Sequence, residues 1–171
     1  MTLARGTRCL LRRMSVDDAE AFLAYRSDPE VARYQSWPPM DATQAHHFLA
    51  DVAKAEPLLR PGHWAQIAIA DGQSNALLGD MGLFLSQDTK EAELGITLSR
   101  GAQGRGIAHE AVVLARGLIF AQSPAQVIWG IADLRNAPSL TLLARTGFLF
   151  DHDETTDGLE ERFFRYPRPA S

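Results

Sequence analysis

The stretch from Gly101 to Gly106 reads Gly-Ala-Gln-Gly-Arg-Gly and has the composition of a loop that binds an anion. Gly104 and Gly106 lack side chains, so the backbone can bend closely around a ligand there. A strongly apolar helix is predicted directly after the loop, and its first N–H groups have no partner inside the helix and lie at the positive end of its dipole. This arrangement suits a phosphate or pyrophosphate, with Arg105 as an added cation. An ordinary glycine-rich connection is the alternative.

Two familiar phosphate-binding loops do not match this stretch. A Walker loop requires Gly-Lys-Ser or Gly-Lys-Thr, and the segment contains no Lys. A dinucleotide fingerprint requires a third small residue where His109 stands, together with a parallel strand–helix–strand unit. The sequence therefore excludes a Walker ATPase and argues against a dinucleotide-binding domain.

Other reactive residue types carry weaker signals. His109-Glu110 begins like a zinc-protease motif, but Val113 stands where the second ligand is needed, so no metal is expected. His46 and His47 are adjacent on a predicted helix and point in different directions, as surface residues do. Cys9 lies in a predicted strand, where a core role is favoured over a nucleophilic one.

The composition is that of a single globular domain covering residues 1–171. Of the 171 residues, 46% are hydrophobic and 22% are charged, which is ordinary for a folded domain of this length. The net charge of −4 argues against nucleic acid as the main partner. A single cysteine excludes an intrachain disulfide, and we see neither a signal peptide nor a membrane-spanning run. We expect a soluble protein of a reducing compartment, the cytoplasm.

Local patterns predict the elements that precede the glycine loop. A strand is expected over residues 7–13, then a helix capped by Ser15, a short helical piece over 29–34, and a helix that begins with the Asp41–Gln44 capping box and ends before Pro57. Apolar runs over residues 64–70, 77–85 and 91–98, separated by short turn-rich segments, predict an antiparallel meander.

Four further elements are predicted from the loop onwards. They are the helix with its apolar face from Ala108 to Ile119, a buried strand over 126–132, a helix over 136–145 that Gly147 terminates, and a hairpin of 148–150 with 162–166 across an acidic connection. No repeat or linker interrupts this order.

The glycine loop resembles the cofactor loop of the GNAT N-acetyltransferases. That family carries Gln/Arg-x-x-Gly-x-Gly/Ala between its fourth strand and third helix, and Gly104 and Gly106 match the two glycines. Gly101 occupies the first position, a departure that removes one side-chain contact or leaves it to Arg100 or Gln103. The order of predicted strands and helices is similar to that of the family over nearly the whole chain.

Two further blocks are similar to the same family. The sequence at 93–96, Glu-Leu-Gly-Ile, and the pair at 110–111, Glu-Ala, flank the loop as they do in GNAT enzymes. Asn136-x-x-Ser139 followed by Gly-Phe at 147–148 resembles the signature of the branch that contains the ribosomal-protein N-terminal acetyltransferases. The resemblance implies one α/β domain with a mixed, mostly antiparallel sheet, helices on both faces and a splayed central strand pair, for which Gly95 suits a bulge.

The resemblance implies acetyl-CoA as cosubstrate and no metal. The pyrophosphate is then expected on the backbone N–H groups of Gln103, Gly104, Arg105, Gly106, Ile107 and Ala108. The pantetheine arm is expected to pair with the strand edge at Ile96, Thr97 and Leu98. Asn136 either hydrogen-bonds the pantetheine or caps the helix that follows it.

Acetyl transfer needs a base for the amine and a donor for the leaving thiolate. Glu93, flanked by Ala92 and Leu94, is the candidate base acting through water, with a solvated strand carboxylate as the alternative. The position that carries a Tyr acid in many GNAT enzymes is Leu143 here. Ser139 is then the candidate donor, or a plain serine at a helix start.

The resemblance implies an amine acceptor, either a protein N-terminus or a small amine. Tyr34, Trp37 and Phe84 are candidates for the acceptor pocket, with core packing as the alternative, and the stretch from Tyr34 to Trp37 is itself similar to that branch. We expect direct transfer in a ternary complex, by a monomer or homodimer that binds neither nucleic acid nor membrane. The alternatives are a degenerate GNAT fold that binds or senses CoA without transfer, and an interaction module without CoA.

Overall fold

The computed structural model describes residues 1–171 as eight strands, five α-helices and two single-turn 3-10 helices at Val16–Asp18 and Arg100–Ala102. None of the helices combines the length and the apolar character needed to cross a bilayer. The larger elements in chain order are β1 (Thr2–Arg5), β2 (Cys9–Arg13), α1 (Ala19–Arg26), α2 (Pro29–Ala32), α3 (Ala42–Lys54), β3 (His63–Asp71), β4 (Leu77–Leu85), β5 (Glu91–Leu98), α4 (Ile107–Gln122), β6 (Val127–Asp133), α5 (Ala137–Arg145), β7 (Leu149–Thr156) and β8 (Leu159–Pro167).

All eight strands form one sheet in the order β1-β2-β3-β4-β5-β6-β8-β7. Every neighbouring pair is antiparallel except β5 and β6, which run parallel. The expected meander of β3, β4 and β5 is confirmed, as is the mixed, mostly antiparallel sheet. A parallel pair needs a long crossover, and α4 provides it between β5 and β6.

The central strands β5 and β6 part halfway along their length. Their pairing covers Glu91–Leu94 of β5 and ends at the Leu94–Gly130 pair. Beyond this point β5 stays paired with β4 as far as Leu98, and β6 stays paired with β8 as far as Asp133, so a V opens between them. The expected splay is confirmed, but the bulge expected at Gly95 is not, because the β4–β5 register runs unbroken through the Gly82–Gly95 pair.

Helices cover both faces of the sheet, as expected. Successive residues of a strand point to opposite faces. Ile67 and Ile69 of β3 accordingly pack into the larger core, which contains the buried stripe of α4, whereas Ala68 packs into a smaller core with Phe22 of α1 and Leu49 of α3. Alternate apolar residues of β3 thus pack against helices on the two faces of the sheet.

Two boundaries differ from the sequence prediction. Thr2–Arg5 forms an additional edge strand, β1, paired with β2. The acidic segment between 150 and 162 is not a loose connection: β7 and β8 extend through it to a turn at Asp157 and Gly158, both with positive φ. Cross-strand ion pairs such as Arg162–Asp153, at 2.8 Å, hold these charged residues in strands.

Candidate functional site

The glycine loop exposes a row of unpaired backbone N–H groups. Gly104 and Gly106 have φ values of +73° and +77°, in the left-handed region that favours glycine. The N–H groups of residues 104–109 have no acceptor within the chain, and the first bond of this region runs from Glu110 N to the Gly106 carbonyl. A Cβ at Gly104 would enter open space. The loop therefore forms a cradle of donors at the N-terminus of α4 that fits a pyrophosphate.

Glu110 holds this loop against the sheet. Its carboxylate accepts hydrogen bonds from the backbone N–H groups of Thr7 (3.1 Å), Arg8 (2.8 Å) and Cys9 (2.7 Å). Partial burial raises the pKa of Glu110, but these N–H donors outweigh it and hold the pKa below its ordinary value. The clamp fixes the start of α4 to the β1–β2 turn, and with it the position of the cradle.

A groove of about 1120 Å³ leads away from the cradle between β5, α5 and the segment after α2. It contains much of the predicted cosubstrate surface, namely Ile96, Thr97, Leu98, Gln103, Gly104, Gly106, Ala108 and Asn136. The edge of β5 beyond Leu94 faces it without a β6 partner. The groove is also lined by three residues that the sequence did not single out for the site: Arg33, His109 and Arg145.

Two predicted cosubstrate residues turn their side chains away from the groove. Ile107 is buried in the core, at 1% exposure. Arg105 lies outside the groove, close enough to Asp71 that its charge helps to lower the pKa of that carboxyl, after hydrogen bonds from Ser74 and Gln73. Only the backbone N–H groups of these two residues contribute to the cradle, which is the role expected of them. The role of the Arg105 side chain as a cation at the mouth of the loop stays a prediction.

A second, smaller cleft of about 430 Å³ lies in the V between β5 and β6. A Cβ on Gly130 would collide with Leu143, so glycine there lets α5 pack directly against β6 beside the opening. The cleft and the groove share six residues: Tyr34, Gln35, Ile96, Asn136, Ser139 and Leu142. A substrate in the groove and a second one in the cleft would meet at these side chains.

Glu93 lies on the wall of the cleft, half-buried. Its cross-strand neighbours are Phe84 on β4 and Trp129 on β6. Burial raises the pKa of Glu93, and the negative charge of Glu161 raises it further. The carboxylate has no hydrogen-bond or ion-pair partner in the chain. A carboxylate with a raised pKa next to a cavity is suited to take up a proton.

Asn136 and Ser139 lie together at the start of α5. Asn136 Oδ1 accepts a hydrogen bond from Ser139 N at 3.3 Å, so Asn136 caps the helix. Both residues nevertheless border the cleft and the groove, and the Ser139 hydroxyl has no partner in the chain. Asn136 thus fixes the start of α5, and the hydroxyl of Ser139 remains available as a hydrogen-bond donor.

Only one of the three predicted acceptor-pocket residues borders the cleft. Tyr34 lies at the junction, with the Arg135 guanidinium 5.5 Å from its ring centre. Trp37 instead stacks on Arg26 at 4.0 Å, and Phe84 packs against Trp64 at 5.2 Å. Neither Trp37 nor Phe84 borders the cleft or the groove, so their expected place in the pocket is corrected.

Residues that the sequence did not assign complete the cleft. Gln35 and Leu142 border both cavities, and Glu161 of β8 lines the cleft. Glu161 belongs to the acidic segment noted in the sequence, where strand alternation places it on the same face as Phe163. The sequence could have identified Glu161 as a cleft residue only if the pairing register of β6 and β8 had been known.

Cys9 lies away from both cavities. Its side chain is fully buried, with Sγ 3.9 Å from the Ile107 carbonyl oxygen. Burial, with smaller contributions from Glu110, raises the pKa of Cys9 to about 12. A thiol so resistant to ionisation is a core residue, as the sequence indicated.

Comparisons with known proteins agree on the class of this fold. Residues 8–149 match the family model described as the acetyltransferase (GNAT) domain. An uncharacterized N-acetyltransferase p20 of Bacillus licheniformis is 29% identical over 143 residues, which are 82% of this chain and 79% of that protein.

Two solved structures are similar throughout. The ribosomal-protein-S5-alanine acetyltransferase of Vibrio fischeri superposes with a TM-score of 0.81 at 14% identity, covering 98% of this chain and 96% of that one. The microcin C7 self-immunity acetyltransferase MccE, solved with acetyl-CoA and AMP, has a TM-score of 0.79 at 14% identity, covering 95% and 94%. At these identities the likeness concerns the fold. With the family model matching most of its length, the chain belongs to the GNAT acetyltransferase family.

Proposed function

We propose that this protein transfers the acetyl group of acetyl-CoA to a primary amine, by direct attack in a ternary complex. The observation that carries the proposal is the junction where the groove below the N–H cradle meets the cleft that contains Glu93. Membership of the acetyltransferase family supports acyl transfer, and the MccE structure supports acetyl-CoA as donor, because that related fold was solved with it.

Glu93 acts as the base in this proposal. The acceptor arrives as an ammonium ion and must lose two protons to become an amide. Glu93 takes one through a water molecule and releases it to solvent, which frees the nitrogen lone pair to attack the thioester carbonyl carbon. Its raised pKa improves the match to an amine proton.

Ser139 assists departure of the sulfur. As the carbon–nitrogen bond forms, the carbon–sulfur bond breaks, and the second amine proton ends on the CoA sulfur. The Ser139 hydroxyl donates a hydrogen bond to the developing thiolate from its place at the junction. Direct attack needs only this positioning, whereas an acetyl-enzyme would need an activated nucleophile. Cys9 is unsuited to that role.

One observation favours a second candidate function. Leu143 stands where many GNAT enzymes have a tyrosine acid, and its buried side chain packs from α5 against Gly130 of β6. A GNAT fold that binds CoA as a sensor, without transfer, would tolerate this loss.

Thiol release from acetyl-CoA, measured with a panel of peptide N-termini and small primary amines, separates the two functions. We expect turnover with at least one class of amine, and we expect Ser139→Ala to lower kcat without weakening CoA binding by calorimetry. The matched control is Ser123→Ala, which should leave kcat unchanged because Ser123 lies at the end of α4 and borders neither cavity. Tight CoA binding with no turnover on any amine would favour the sensor, and no binding to CoA would contradict both.

A further inference from the structure

The cleft beside Glu93 is negatively charged and contains no cation. Among its lining residues, Glu93, Asp133 and Glu161 are carboxylates, and none is Lys, Arg or His. Arg135 neutralises Asp133 through hydrogen bonds of 3.0 Å and 2.7 Å. Glu93 and Glu161 have no ion-pair partner, so the cavity presents two uncompensated negative charges to whatever enters it.

Glu161 sits in a place that costs stability unless a cation joins it. It lies on β8 directly opposite Asp133 of β6 and Glu154 of β7. Like charges at opposed strand positions destabilise a sheet. Arg135 relieves Asp133 and His152 contacts Glu154 at 2.9 Å, but nothing relieves Glu161. Its charge also raises the pKa of Glu93, which indicates that the two carboxylates act on the same space.

Besides its carboxylates, the cleft is lined by both polar side chains, such as Gln35 and Ser139, and apolar or aromatic ones. Trp64, Ile131 and Leu142 border the cavity, whose volume of about 430 Å³ admits an aromatic or branched aliphatic group. We propose that Glu161 binds the ammonium group of the acceptor, and that the cleft selects primary amines that carry an apolar group and no carboxylate beside the nitrogen. This proposal rests on the proposed function and names its substrate class.

The charge of the cleft supplies the selectivity. A free amino acid has a carboxylate one carbon from its ammonium group. Once the ammonium reaches Glu161, that carboxylate meets two negative side chains and no positive one, so its burial is opposed by repulsion and by lost hydration. An amine without the carboxylate has only the attraction. In this proposal Glu161 only binds the ammonium group, and the proton that the amine loses goes to Glu93.

The test compares 2-phenylethylamine with L-phenylalanine, which differ only by the carboxylate and are both protonated at pH 7. We expect kcat/KM for the amine to exceed that for the amino acid by at least tenfold. Glu161→Gln should raise KM for 2-phenylethylamine several-fold and narrow the difference between the two compounds. The matched control is Glu160→Gln, the same change one residue away on an exposed position outside the cleft, and it should alter neither value.

Calorimetry on the CoA-loaded protein makes failure of this inference distinguishable from failure of the proposed function. The inference is supported, even where no acetyl group is transferred, if 2-phenylethylamine binds more tightly than L-phenylalanine. Glu161→Gln should then weaken the binding of 2-phenylethylamine, and Glu160→Gln should not. If both compounds are acetylated with equal kcat/KM, the inference is overturned and the proposed acetyl transfer is retained. Equal effects of the two substitutions, or no binding of either compound, also overturn it.

Discussion

The guanidinium carbon of Arg26 lies 4.0 Å from the ring centre of Trp37, and the indole Nε1 donates a hydrogen bond to the Arg26 carbonyl at 3.3 Å. Arg26 is held in turn by the buried carboxylate of Asp80, at 3.1 Å. The neighbours of Trp37 at positions 34–36 line the cleft. Trp37 itself does not line the cleft but connects this wall to α1, so we expect it to position the wall.

Trp37→Ala should raise KM for the amine several-fold with a smaller effect on kcat. The substitution removes a cation–π contact of about 0.5–2 kcal/mol and the indole hydrogen bond, which loosens the segment that carries Tyr34. Trp37→Phe keeps the stacked ring and should restore most of the affinity. Steady-state kinetics on the three proteins test this, and an unchanged amine KM in Trp37→Ala would contradict the positioning role.

Gly104→Glu should abolish CoA binding. A side chain at φ +73° is strained, its Cβ enters open space at the cradle, and a carboxylate there repels a pyrophosphate. Gly158→Glu is the matched control, since that glycine also has a positive φ (+78°) and open space but lies in the β7–β8 turn. Calorimetric titration with CoA should show normal binding for the control. Equal losses in both variants would place the effect in folding and not in the cradle.

The carboxyl group of Glu93 should titrate above the usual glutamate value, because burial and the charge of Glu161 both disfavour its ionised form. Replacement of Glu161 by Gln removes the second cause, so the pKa of Glu93 should fall towards the ordinary value. Side-chain carboxyl NMR of the free enzyme measures this directly. Glu93→Gln should lower kcat most at low pH, where the amine is mostly protonated, and an unchanged kcat would assign the base to another group.

Cys9→Ala should leave turnover nearly intact and lower stability by about 1–2 kcal/mol, because the thiol is a buried core group with no role at the junction. Initial-rate patterns should intersect, as they do for a ternary complex. Native Cys9 should resist thiol reagents, since burial raises its pKa to about 12. Ping-pong kinetics, or an acetylated Cys9 that turns over when amine is added, would overturn direct transfer.

Glu110→Gln should destabilise the fold by about 1–3 kcal/mol at pH 7, because part of the N–H clamp at the β1–β2 turn loses its acceptor. The pKa of Glu110 is lowered in the folded protein, so its contribution is present above the unfolded value near 4.5 and is lost as pH falls through the folded value. Denaturant unfolding should show a smaller difference in the free energy of unfolding between Glu110→Gln and the unchanged protein at pH 3 than at pH 7. Glu20→Gln, on an exposed face of α1, is the control. A loss of stability independent of pH would contradict the clamp.

Local physics determined the parts of this protein that the sequence could predict. The Asp41–Gln44 capping box, the helix stop at Gly147 with φ +89° and the strands of the meander all depend on residues close together in the chain. The same holds for the N–H cradle, since a loop with Gly104 and Gly106 needs only the helix that follows it. Glu93 was predictable as a candidate because its strand and its apolar neighbours are local.

Tertiary structure alone decided which residues share the cleft. Glu161 reaches Glu93 only because β8 pairs with β6 in one register, and Trp37 leaves the pocket only because Arg26 offers it a stacked position. The bulge expected at Gly95 failed for the same reason: the V opens because β5 and β6 each keep their antiparallel partner, not because of a residue between them. Such pairings join segments far apart in the chain, and a local pattern carries no information about their register.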